Sequence, residues 1–168
     1  MTKARENLAA WLRDAHAMEG QAITLLKTQI DRLENYPEAV PRLREHLRET
    51  EQQQQMVEQC LSRLGEDTST LKTGTMKLAA NIQGMMHAMS SDEVLKNALA
   101  SHSFEHFEAA SYCSLVAAAE DAGEPEIART CENIMQQELD MAGWVWDQLP
   151  MLTHKYLQRD EAGVTAKR

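Results

Sequence analysis

Four rows of this chain step mainly by three, four or seven residues, and each is broken by glutamate. They are Leu12–Glu19–Leu26–Leu33, His46–Glu49–Gln53–Met56–Cys60, Val94–Ala98–Ser101–Glu105–Glu108–Tyr112–Leu115–Ala119 and Ile127–Cys131–Ile134–Glu138–Met141–Val145. Such steps place each row on one face of an α-helix. A carboxylate on an inward helical face is costly to bury unless something positive meets it. The pattern therefore predicts helices whose acids converge on something cationic.

The composition suits helices throughout. Ala, Leu, Glu, Gln, Met and Arg dominate, while Gly and Pro number only 7 and 4. The expected fold is all-α: a four-helix bundle forming a single domain over residues 1–168, with a polar tail from 160 to 168. Helix one is expected over residues 3–34 and helix two over 38–64, with the turn at Asn35-Tyr36-Pro37 and Pro37 starting the second helix. Gly65 suits the residue just past a helix end. A polar stretch from Gly65 to Thr75 and a short amphipathic helix near Met76–Met89 form a crossover. Such a crossover lets helices two and three run parallel, as in ferritin-like bundles. Helix three is expected from the capping cluster Ser90-Ser91-Asp92-Glu93 to Ala122. Helix four should run from Glu124-Pro125 to Leu149, Pro150 breaking it before a short C-terminal helix over 151–159.

The formal net charge of −9 argues against nucleic acid and against an anionic membrane surface. No apolar run is long enough to span a bilayer, and the N-terminus has no apolar signal core. A cytoplasmic protein is expected. Cys60, Cys113 and Cys131 are odd in number, lack a CxxC pair and read as buried reduced thiols.

Residues equidistant from a hairpin turn lie at one height. The midpoint of Glu108 and Glu138 is Gly123, so these two should face each other. The midpoint of Glu19 and Glu49 falls at Glu34, beside the first turn, so they too should be nearly level. Stacked in register, Glu19, Glu49, Glu105, Glu108 and Glu138 would share one layer. Ionised and empty, such a layer would push its own pKa values upward. Two divalent cations would relieve it, and oxygen donors suit Fe or Mn. The alternative is that these are surface acids on Glu-rich helices. Three histidines precede core acids by three residues: His16, His46 and His102. Di-iron bundles use the reverse order, Glu-x-x-His, so His16 and His46 are read as ligands, outer donors or plain half-buried histidines. Gln53 is a further polar neighbour of the site. Tyr112, one turn from Glu108, either tunes the site or makes a structural hydrogen bond.

Several of these stretches resemble the YciE/YciF family of bacterial stress-associated ferritin-like proteins. The matching segments are Asp14-Ala15-His16-Ala17-Met18-Glu19, His46-Leu47-Arg48-Glu49-Thr50 with Gln53, Phe104-Glu105-His106-Phe107-Glu108-Ala109-Ala110-Ser111-Tyr112 and Met141-Ala142-Gly143-Trp144 around Glu138. The resemblance implies a ferritin-like bundle, a homodimer, and Glu19, Glu49, Glu105, Glu108 and Glu138 as metal ligands. Gly143 stands where the resemblance would place an acid. It supplies a fold and a site but no substrate. Two function classes follow. One is a metal-dependent stress protein whose Fe or Mn meets peroxide or O2. The other is a metal-free dimeric bundle acting through protein contacts, with Trp11, Trp144 and Trp146 as contact residues. Iron storage is a third, weaker reading, because it needs a cage of many subunits.

Overall fold

The computed structural model describes residues 2–67, 71 and 91–166. The expected crossover helix near Met76–Met89 lies outside the described residues. Helix α1 spans Lys3–Arg32, α2 Val40–Arg63, α3 Glu93–Asp121 and α4 Pro125–Glu161. No strand occurs among the described residues.

The helix ends follow from local chemistry. Thr2 caps α1, its hydroxyl accepting from the Arg5 amide at 3.4 Å. α2 closes at Gly65, where φ is +81°, with the Gly65 amide bonded to Ser62 and the Glu66 amide to Leu61. α3 closes the same way at Gly123, φ +72°, with amides bonded back to Glu120 and Ala119. This closure needs a left-handed residue, which glycine supplies without a Cβ clash. Pro37 does not begin α2. It heads a single turn, and the first-turn proline of α2 is Pro41.

A second boundary also differs from expectation. Pro150 lies inside α4, and the separate short helix expected after it is the last part of that helix. Proline costs one helical hydrogen bond, that of the Trp146 carbonyl four residues earlier. Trp146 and Pro150 both face outward, where water can reach that carbonyl. Beyond the proline, Leu152 and Tyr156 pack with Tyr36 and Val94 and hold the helix on course. Tyr36 also donates its hydroxyl hydrogen to the Ala166 carbonyl at 2.7 Å, tying the chain end to the first turn.

Cross-helix contacts give the topology. Glu19 meets Tyr112, Gln29 meets Ser101 and Arg32 meets Glu93, so α1 and α3 are antiparallel. Glu38 meets Lys155 and Gln53 meets Gln137, so α2 and α4 are antiparallel as well. Each hairpin is antiparallel too, which leaves α2 and α3 parallel on a diagonal, the ferritin-like arrangement. Two apolar clusters result besides the one around Tyr36. One holds Leu8, Leu12, Val57, Leu61, Leu115, Ile127 and Ile134; the other holds Leu26, Leu43, Met141 and Val145. Burying each large aliphatic side chain is worth about 1.5–3 kcal/mol. The acids lie in the layer between these two cores.

Cys60 and Cys131 are buried, but Cys113 is exposed. It directly follows the core residue Tyr112, and a one-residue step turns a helical side chain away from the seam. No described helix is long and apolar enough to cross a membrane.

Candidate metal centre

Each helix contributes to the layer. α1 brings Glu19, α2 His46 and Gln53, α3 Glu105, Glu108 and Tyr112, and α4 Glu138. All seven are buried, with Glu19 0% exposed and no member above 3%. The nearest ligand atoms of His46, Glu105 and Glu138 all lie within 4.8 Å of one another, and no other such trio of His, Cys, Asp or Glu occurs among the described residues. His46 Nε2 stands 3.2 Å from Glu105 Oε2 and 3.7 Å from Glu138 Oε2. Tyr112 donates its hydroxyl hydrogen to Glu19 Oε1. Gln53 donates through Nε2 to Gln137 at 3.0 Å.

Glu49 stands elsewhere. Its side chain is 25% exposed, and its Oε2 lies 3.0 Å from Arg42 and 3.1 Å from His46 Nδ1. The imidazole therefore stands between Glu49 and the buried carboxylates. The reason is where the hairpin is centred. α1 ends at Arg32 and α2 starts at Val40, so the hairpin is symmetric about residue 36, which makes residue 53 the partner of Glu19. Gln53 occupies that level, and Glu49 lies one turn nearer the hairpin end. His16 is half-buried, its carbonyl accepting from Gln54 at 3.2 Å, and it does not join the acids.

The electrostatics follow from burial. Desolvation raises Glu19 to about 8, against the lowering effect of the Tyr112 hydroxyl and the His46 charge. Glu108 is pushed well above the usual carboxylate range by burial and by the charges of Glu19, Glu138 and Glu105. Glu138 moves the same way, through burial and the Glu105 charge. Tyr112 is likewise raised by burial and by Glu19. Burial opposes a charged His46, but Glu105, Glu49 and Glu138 together outweigh it and raise its pKa to about 10. Glu49 is held near 2, chiefly by its bond to His46.

The donor set fits a cation. Among the described residues, no N–H or O–H donor lies within hydrogen-bonding distance of Glu19 Oε2, Glu108 Oε1 or either oxygen of Glu138, and Glu108 and Glu138 crowd the carboxyl group of Glu105. Unpartnered buried oxygens are expensive, and acids in one pocket repel each other. Carboxylate oxygens with one imidazole nitrogen suit Fe or Mn. Sequence reasoning passed over Arg42 and Gln137. Arg42 lies four residues before His46 and seven before Glu49, a same-face spacing that carries a readable signal. Gln137 gives none, since only the packing of α2 against α4 brings it to Gln53.

Two comparisons bear on this arrangement. The fold is similar to the crystal structure of a protein from Xanthomonas campestris pv. campestris, with a TM-score of 0.81 and 40% identity; the match covers 95% of this chain and 99% of that one. Residues 3–158 match the family described as Domain of unknown function (DUF892). With nearly its whole length matched, the chain belongs to the DUF892 family.

Proposed function

We propose that the protein binds a pair of Fe or Mn ions in the bundle core and uses them against a small oxidant, peroxide or O2. The observation that carries this reading is the set of unpartnered buried oxygens on Glu19, Glu108 and Glu138 beside His46 Nε2. Glu105, Glu108, Glu138 and Glu19 would hold the ions, with His46 as the nitrogen donor. Bound Fe or Mn would supply redox chemistry toward the oxidant. The chain's own groups prepare the site. Glu49, anchored by Arg42, fixes the ring of His46 and favours a hydrogen on Nδ1, the outer bond that ligating histidines use. Tyr112 fixes one oxygen of Glu19 and leaves the other free. The apolar cores on both sides exclude bulk water. The resemblance to the YciE/YciF family supports a stress-associated, cytoplasmic homodimer. No nucleic acid or membrane partner belongs to this reading.

The test is metal analysis of purified protein with and without added Fe(II) or Mn(II). About two ions per chain are expected, as in other carboxylate bundles, with a collapse in Glu108→Ala. No bound metal, and a melting temperature indifferent to both ions, would overturn it. A second reading, a metal-free bundle acting through protein contacts, draws on the exposed Trp11, Phe107 and Trp146. That second outcome is the one it predicts.

A further inference from the structure

A pair of histidines lies outside the buried layer. His102 and His106 are four residues apart on α3, so they stand one turn apart on one face. Their ring centroids are 4.6 Å apart, with the planes at 83°. Nδ1 of His102 lies 3.0 Å from the Ala142 carbonyl oxygen on α4. A carbonyl only accepts, so Nδ1 carries the hydrogen and Nε2 keeps its lone pair. This is the hydrogen bond that fixes tautomer and ring in metal-ligating histidines. His106 is exposed and has no hydrogen bond among the described residues. Gly143 shares the outward face of α4 with Leu139 and Trp146, and a Cβ there would meet nothing within 4 Å.

We propose that His102 and His106 form a surface site for one divalent transition ion that favours imidazole, of the Ni(II), Zn(II) or Cu(II) kind. Metal–nitrogen bonds of about 2.0–2.1 Å require the two nitrogens to come within roughly 4 Å of each other. His102 stays on the Ala142 carbonyl, and turning the exposed His106 ring, its centroid 4.6 Å away, brings its nitrogen within that reach. Water fills the remaining positions, so the ion exchanges readily. The chemistry differs from that of the core, where oxygen donors dominate. The site does not depend on the core binding metal.

The structure supplies a reporter. The Trp146 ring centroid lies 5.5 Å from that of His102, close enough for a paramagnetic ion at the pair to quench its fluorescence. Chelator-stripped protein is titrated with Ni(II). Saturable quenching is expected in the wild type, and it is lost in Trp146→Phe. His106→Ala and His102→Ala each raise the midpoint at least tenfold, because a chelating pair becomes a single ligand. His154→Ala, a change at an exposed histidine on the far part of α4, leaves the curve unchanged. The Glu108→Ala variant quenches like the wild type, which separates this site from the core. His106 is exposed, so its alanine variant keeps the wild-type melting temperature and isolates the ligand role. A wild-type curve in His106→Ala overturns the proposal. So does absence of saturable quenching, including the case where sedimentation finds the pair covered by a second copy.

Discussion

Raising the pH should weaken the metal-free protein, and Glu19 sets the size of the effect. Its pKa rises from 4.5 to about 8 on folding, mainly through burial. The folded state therefore holds a proton that the unfolded chain has released, and stability falls as pH climbs through that window. At about 1.4 kcal/mol per pH unit, the loss between pH 5 and pH 8 is roughly 3 kcal/mol from Glu19 alone. Glu108 and Glu138 shift in the same direction within the same network, so their losses overlap with this one. His46, raised to about 10, extends the decline above pH 6.5. Glu49 has the opposite sign: held near 2, its contribution is present above pH 4.5 and is lost as pH falls toward 2. The metal-free protein should thus be most stable near pH 5. Urea unfolding of chelator-stripped protein across pH 5–8 measures the slope. Glu19→Gln keeps an acceptor for Tyr112 and should flatten the slope by most of the Glu19 share. Saturating Mn(II) should flatten it as well, because the ion replaces the protons. A wild-type curve level from pH 5 to pH 8, or a Glu19→Gln curve as steep as the wild type, refutes the reasoning.

Three further changes probe the frame around the site. Arg32→Met removes the guanidinium that meets the buried Glu93 carboxylate through Nη2 at 2.8 Å and should cost about 1–2 kcal/mol in urea unfolding. Tyr36→Phe removes the hydroxyl bond to Ala166 and should cost about 1 kcal/mol, with faster proteolysis of the chain end as a second readout. Gly123→Ala forces a Cβ into a φ of +72° and should lower stability by about 1 kcal/mol, although open space surrounds the position.

The helices and the acidic layer were legible because both are written in periodicity. Rows broken at Glu19, Glu105, Glu108 and Glu138 name helical faces and mark where the faces turn polar, and the burial of all four follows from that. Gly123 as a hairpin centre correctly levels Glu108 with Glu138. The same reasoning misplaced Glu49, because hairpin register depends on turn geometry. The helix ends at Arg32 and Val40 centre the hairpin on residue 36, the middle of the expected turn, and not on the Glu19–Glu49 midpoint at residue 34, so Gln53 is the residue level with Glu19. Pro150 failed as a stop signal for a related reason. Local propensity disfavours it inside a helix, but the packing of Leu152 and Tyr156 is a tertiary contribution that no local rule contains.

The reversed order His46-x-x-Glu49 has a physical consequence. In Glu-x-x-His helices both side chains are ligands. Here the histidine alone reaches the acids, and the glutamate backs it while drawing its own counter-charge from Arg42. Glu49 thus adds no uncompensated charge to the core, and among the described residues the imidazole of His46 is the only cationic group inside the layer. A single imidazolium does not balance four carboxylates, and burial first, then the charges they share, raises the pKa of Glu19, Glu108 and Glu138 and favours protons on them. Loading a cation must displace those protons and the one on His46 Nε2 together. Metal affinity and proton affinity therefore compete for the same atoms. On the proposed metal-binding reading, an ion entering the core would have to be charged strongly enough to expel those protons.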